Sequence, residues 1–159
     1  MTAITIVSLL VAGGLFVGLV TKPNPNPNGL RMGIVERVID GDTVELSNGE
    51  LVRYLDVDTP ETVHPDKPVG CYGREATNRN KELIEGRTVY LEVPERSQDI
   101  YGRTLAYVST DDHFVNGELV HAGYAYARSY GEQGRLYQSL LQLERAARKA
   151  GRGLWANCQ

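Results

Sequence analysis

The chain has 159 residues, 42% of them hydrophobic and 23% charged, and a formal net charge of −3. That balance excludes a disordered chain and leaves, after a non-globular start, about 125 residues for one compact domain with a real core. Every Asp and Glu lies at or after Glu36, whereas Lys22 and Arg31 precede it, so the domain is more acidic than the whole chain. This counts against a protein that coats nucleic acid non-specifically, and it implies weak long-range steering of a polyanion. It leaves open a local pair of arginines that grips one phosphate.

Residues 3–20 form an apolar run relieved by Thr5, Ser8 and three glycines. Its length reaches the lower limit of a membrane span and exceeds the usual core of a signal peptide. No amphipathic face is visible, which argues against a buried core helix. Residues 1–21 are therefore read as an uncleaved membrane anchor, with a cleaved signal peptide as the alternative. Lys22 on the C-terminal flank favours a cytoplasmic domain, but one lysine weighs less than the two cysteines, which favour the outside. Residues 22–31 carry alternating Pro and Asn, which form neither helix nor sheet ladder, and read as an extended spacer. Residues 32–159 make up the domain.

Within the domain, strands come before helices. Residues 33–39 read as a strand. Residues 43–46 and 51–55 flank Asn48-Gly49, a hairpin signal. A loop rich in Pro and Gly runs from 59 to 73. Residues 74–85 read as a helix closed by Gly86. Residues 88–93 and 103–108 are two further strands, and residues 116–121 a short helix ended by Gly123. Residues 132–150 read as the long last helix, with Leu136, Leu140, Leu143, Ala147 and Ala150 on one face at helical spacing. Periodicity alone gives an α+β domain with one antiparallel sheet.

Several polar residues could carry chemistry. Asp40-Gly41-Asp42-Thr43 and Asp58-Thr59-Pro60-Glu61 place carboxylates beside turns, where backbone carbonyls are also free to point inward. Such oxygens suit a hard cation. No Cys/His cluster is present, which argues against a zinc-type site. Taken alone, Asp40-Gly41-Asp42 is only a turn that enters a strand. Arg53 and Arg103 alone are solvated strand residues, and Glu61 alone is a loop glutamate. Together they supply a cation site, two planar forks for phosphate oxygens and a spare carboxylate for a proton. His64, His113 and His121 show no ligand spacing. Cys71 and Cys158, an even pair in a chain with an export-type N-terminus, predict one disulfide; two unpaired thiols in a reducing compartment are the alternative.

The order and spacing of Asp40-Gly41-Asp42-Thr43, Arg53, Asp58-Thr59-Pro60-Glu61 and Tyr101-Gly102-Arg103 resemble the staphylococcal nuclease (thermonuclease) family. The resemblance runs from about Val35 to Trp155. It implies a five-stranded OB-type Greek-key barrel with three helices, behind the N-terminal hydrophobic segment. It implies Ca2+ held by the Asp42 and Asp58 carboxylates and a backbone oxygen of Thr59, with Asp40 as outer support. It makes Arg53 and Arg103 the phosphate clamp and Glu61 the general base. It places Tyr101 near the nucleotide and, among Tyr124, Tyr126 and Tyr130, only Tyr130 at the base-stacking wall. Exported relatives carry a cysteine pair similar to Cys71 and Cys158.

The implied activity is calcium-dependent hydrolysis of DNA, single-stranded preferred, and of RNA, leaving 3′-phosphates. The protein would be a monomer, exported, and either anchored through residues 3–20 facing outside or secreted. The alternative is a non-catalytic nucleic-acid-binding module of the same superfamily. Such modules typically lose the metal ligands or the arginines, whereas Asp42, Arg53, Asp58, Glu61 and Arg103 are all present here. Two departures reduce positive charge: Ile100 stands where a basic residue helps hold a terminal phosphate, and Cys71 where some relatives have lysine.

Overall fold

A computed structural model of the protein describes residues 30–62, 68–95 and 98–158. The expected anchor, most of the spacer and His64 lie outside the described residues. Among the described residues, no helix is long and apolar enough to cross a membrane.

Five strands close into a barrel in the order β1-β2-β3-β6-β5. They are β1 (Arg31–Val38), β2 (Thr43–Leu46), β3 (Leu51–Tyr54), β5 (Thr88–Glu92) and β6 (Thr104–Ser109). Arg31, expected in the spacer, already pairs with Leu91. The first half of β1 pairs with β5 and the second half with β2, with a register break between Val35 and Arg37. One extra residue at such a break bends a strand, which lets one strand serve two sides of a barrel. The alternation expected of a half-buried strand is clear in β5, where Val89 and Leu91 are buried and Thr88 is exposed. At the β2–β3 hairpin the Gly49 N–H bonds to the Leu46 carbonyl and Gly49 has φ +81°. This is the left-handed step that the Asn-Gly signal anticipates.

The β3–β6 pair is parallel, with Arg53 level with Leu105. A parallel pair needs a crossover, here supplied by α1 (Gly73–Ile84) and β5. Helix α1 buries Ala76, Asn80, Leu83 and Ile84 against the barrel, at helical spacing. Helix α2 (Val115–His121) follows β6, and α3 (Tyr137–Lys149) packs on it.

Three features were not anticipated. First, β4 (Val57–Asp58) and β7 (Tyr126–Ala127) form a small second sheet, pairing Val57 with Ala127 and Asp58 with Tyr126. Second, α3 starts at Tyr137 rather than 132. The segment before it is strapped to the barrel: Gly134 N–H donates to Asp56 Oδ2 at 3.0 Å and Leu136 N–H to the Tyr107 hydroxyl at 2.9 Å. Those amides bond outside any helix, and a Cβ at position 134 would collide with the Tyr107 hydroxyl. On α3 the buried face includes Glu144, whose Oε2 accepts from Ala127 N–H, while Ala150 is exposed. Third, a fourth helix, α4 (Leu154–Asn157), is added to the three expected. Leu154 is buried, and Trp155 stacks edge-on against Tyr126.

A disulfide joins Cys71 to Cys158 across 87 residues. It ties the end of α4 to the segment that leads into α1. Replacing both cysteines by serine should lower unfolding free energy by about 2–4 kcal/mol. Urea denaturation of the purified double variant against the parent checks this, and an unchanged midpoint and slope would mean that the tail is held by packing alone.

Candidate active site

The site grows from Arg53 on β3. The β2–β3 ladder sets Thr43 beside Arg53, and the β3–β6 ladder sets Leu105 on its other side. Arg53 is 9% exposed rather than solvated, and both of its terminal nitrogens are engaged. Nη1 lies 3.0 Å from Asp42 Oδ1 and donates to the Val57 carbonyl at 2.6 Å, while Nη2 donates to Asp58 Oδ1 at 3.2 Å. One planar fork thus bridges both predicted cation-ligating carboxylates.

Local turns aim those carboxylates. Asp40 Oδ1 accepts the Asp42 N–H at 3.0 Å, closing a turn before β2. Asn80 of α1 donates to the Asp40 carbonyl and accepts from the Tyr54 hydroxyl, so the turn is fastened to the helix. Asp42 Oδ2 accepts both the N–H and the hydroxyl of Thr59, at 2.6 and 2.8 Å. Asp56 takes the left-handed conformation, φ +59°, between β3 and β4, which turns the chain so that Asp58 faces Arg53. Arg128 reaches the other oxygen of Asp58 at 3.2 Å, and the Tyr130 hydroxyl lies near Asp58.

Burial pushes the Asp42 carboxyl up to about 6; Arg53 pulls against this, and Asp40 adds to it. Asp58 is also raised, by burial first, against its bonds to Tyr130 and Arg53. For both carboxylates burial outweighs the pull of the arginine, so each is easier to protonate than in water. The donors are all oxygen, which suits a hard cation. Among the described residues no group of three or more His, Cys, Asp or Glu side chains converges to hold a metal ion. A cation here would rest on Asp42 and Asp58 and complete its shell with backbone and water oxygens, and that donor set fits.

Arg103 enters from the turn before β6. Its Nε donates to Asp99 Oδ2 at 2.7 Å, and its guanidinium lies 5.4 Å from the centre of the Tyr101 ring. Asp99 Oδ1 accepts the N–H groups of Tyr101 and Arg103. Burial raises the Asp99 carboxyl, but these bonds outweigh it and hold the group below its ordinary value. Nη1 of Arg103 also reaches Thr43 Oγ1 at 3.5 Å, a link toward Asp42. Glu61 is exposed, and its Oε1 accepts the Thr62 N–H at 2.9 Å. The Glu61 carbonyl accepts the Gly70 N–H at 2.7 Å, beside the disulfide-bonded Cys71.

A cleft of about 1080 Å³ brings these groups together. Asp40, Asp42, Arg53, Asp58, Thr59, Glu61, Tyr101, Arg103 and Tyr130 all line it. Cys71 and Cys158 do not. Tyr101 and Tyr130 are 76% and 71% exposed, with the Arg103 guanidinium over one face of the Tyr101 ring. His113 and His121 lie outside the cleft lining, whereas Ile100 lies within it, 91% exposed.

Sequence reasoning missed Arg128, Asp99 and Asp56. Asp99 had a signal, because Asp-x-x-Gly at 99–102 is a turn pattern whose aspartate bonds to its own backbone. Arg128 and Asp56 had none, since their roles depend on the β4–β7 pairing.

The fold and the site define an OB-type barrel with a two-carboxylate, two-arginine cleft. A family profile described as "Staphylococcal nuclease homologue" matches residues 51–157. The chain is 39% identical over 125 residues to "Thermonuclease" of Staphylococcus intermedius, covering 77% of this chain and 74% of that protein. It is 37% identical over 126 residues to "Thermonuclease" of Staphylococcus hyicus, covering 77% and 75%. It is 38% identical over 141 residues to "Endonuclease YncB" of Bacillus subtilis (strain 168), covering 86% and 67%. The chain belongs to the staphylococcal nuclease family.

Gly41 separates the two aspartates of the first turn, and a Cβ there would lie 2.7 Å from Thr59 Oγ1 and Cγ2. Gly41→Ala should therefore push Thr59 off Asp42 and destabilise the domain by about 1–3 kcal/mol. Denaturant unfolding checks this. A midpoint equal to the parent's would show that Thr59 is not needed to hold Asp42.

Proposed function

We infer that this protein is a calcium-dependent nuclease that hydrolyses phosphodiester bonds of DNA, preferring single strands, and of RNA. One observation carries the reading. Arg53 holds Asp42 and Asp58 together in the same cleft as Arg103 and Glu61. The relatives named thermonuclease and endonuclease support the same class of reaction.

The roles follow from chemistry. Asp42 and Asp58, with the backbone oxygen of Thr59, would hold the cation, and Asp40 supports the turn. When bound, Ca2+ polarises a phosphoryl oxygen and lowers the pKa of nearby water. Glu61 takes a proton from the attacking water. The water oxygen bonds to phosphorus as the bond from phosphorus to the 5′ oxygen breaks, and the 5′ oxygen takes a proton from solvent water as it leaves, so the 3′-phosphate remains. Arg53 and Arg103 carry the charge that grows on the equatorial oxygens. Tyr101 and Tyr130 offer faces to the bases, a sequence-tolerant contact that suits unpaired strands.

The disulfide supports an oxidising compartment. We place the domain outside the cytoplasm, tethered through residues 3–20 or released after cleavage, and acting as a monomer.

The test is cleavage of a labelled single-stranded oligonucleotide by the full-length protein. Activity should need calcium, vanish in excess chelator and be poor with magnesium, which prefers a tighter octahedron. Full activity in chelator would sink the proposed mechanism.

Variants assign the roles. Arg53→Lys is preferred to alanine, because removing the guanidinium would strand the buried Asp42 carboxylate and take one of two cations from Asp58. It and Arg103→Ala should each lower kcat by ~10²–10³-fold. Glu61→Gln should bind substrate normally and turn over ~10²–10⁴-fold more slowly. A Glu61→Gln rate within about tenfold of the parent would remove Glu61 from the proton transfer.

A further inference from the structure

The cleft poses an electrostatic problem for the substrate proposed above. Among the described residues, eight acidic side chains line it and only three basic ones, Arg53, Arg103 and Arg128. A polyanion that enters must find positive charge early. Arg53 is 11% exposed at its side chain and is held by two carboxylates; Arg103 is 26% exposed and pinned to Asp99. Arg128 is 55% exposed. Among the described cationic residues of the cleft it is the most open to an incoming strand.

Its placement is equally specific. Arg128 follows β7, and its N–H bonds to the Asp56 carbonyl at 3.0 Å, so its backbone is fixed beside the site. Its side chain touches Asp58, lies 5.6 Å from the centre of the Tyr126 ring and lies near the Tyr130 hydroxyl. A guanidinium has five N–H donors, more than these partners use. The Asp58 contact alone is a weak reason for the residue, because exposed pairs add little stability and the β4–β7 ladder already anchors this segment. Tyr130 beside it is open for stacking. An exposed arginine next to an exposed aromatic is the pairing that holds one nucleotide of an unpaired strand by phosphate and base together.

We propose that Arg128 is a third phosphate-binding residue, which takes a phosphate flanking the one that is hydrolysed while Tyr130 stacks on the adjoining base. The inference rests on the reading of the cleft as a nuclease site. It makes the substrate a strand of several nucleotides rather than a single phosphodiester. It also offsets the missing basic residue at Ile100, so an internal phosphate takes the place of a terminal one as the second handle.

The experiment uses the full-length protein and Arg128→Gln, matched by thermal melting. Affinity for a fluorescent oligothymidylate is read by anisotropy with calcium, with Glu61→Gln added to both proteins so that the probe is not consumed, and cleavage is read separately with Glu61 in place. The expected result is affinity weaker by about five- to tenfold and KM raised to match, with kcat changed far less. The slope of log affinity against log salt should become shallower by about 0.7, the counterion release of one phosphate contact on a single strand. On a substrate with one phosphodiester the difference between variant and parent should vanish. Arg128→Lys should restore the salt slope and only part of the affinity. Unchanged affinity and slope would overturn the proposal. So would a lower calcium requirement with unchanged oligonucleotide affinity, which would show that Arg128 acts only on Asp58. If the parent cleaves nothing but binds, and Arg128→Gln weakens binding with the shallower slope, the phosphate contact stands and the nuclease reading falls. A parent that neither cleaves nor binds overturns both.

Discussion

A buried guanidinium between two carboxylates is the constraint on which this structure depends. Arg53 cannot leave its place without stranding Asp42 and Asp58, and losing one partner of such a buried cluster typically costs about 3–5 kcal/mol. Yet the cluster is not a device for stability. Both carboxylates are held above their ordinary range, so the folded protein keeps negative charge where burial opposes it. Burial is the first cause of both shifts, and functional sites are where such unfavourable arrangements are retained.

The barrel sets this cluster by register rather than by loops. Thr43, Arg53 and Leu105 are level with one another on three neighbouring strands, so the Arg53 guanidinium and the start of β6 are close by construction. The parallel β3–β6 pair brings Arg103 to the same cleft, although fifty residues separate the two arginines in the chain. The left-handed Asp56 then turns the chain, and the β4–β7 pair holds Asp58 in reach. Asp56 also bonds to Tyr107 and Gly134, so one residue fixes both the turn and the segment that carries Tyr130. Sites built on rigid elements keep their geometry better than sites on free loops.

What the sequence made legible was local. The Asn48-Gly49 hairpin, the helix ended by Gly86 and the alternation of Val89 and Leu91 each have their cause within a few residues. The motifs around Asp42, Asp58 and Arg103 were legible because turn chemistry and a family resemblance agree on them. The missed features are long-range. No local pattern announces that Val57 pairs with Ala127, or that Glu144 turns inward to accept the Ala127 N–H. Residues 132–136 have a helical pattern, but the bonds of Gly134 and Leu136 to Asp56 and Tyr107 win over it. Arg53 was ambiguous for the same reason: an arginine in a strand faces solvent unless two distant carboxylates are waiting for it.

The central claim is that Asp42 and Asp58, fastened by Arg53, form one cation site. Isothermal titration of the full-length protein with calcium chloride, repeated on Asp42→Asn at equal protein concentration, tests it most directly. One calcium per chain is expected for the parent, and heat indistinguishable from dilution for the variant, with both melting cooperatively. Equal stoichiometry and affinity in parent and variant would contradict the account, because the calcium would then be held elsewhere.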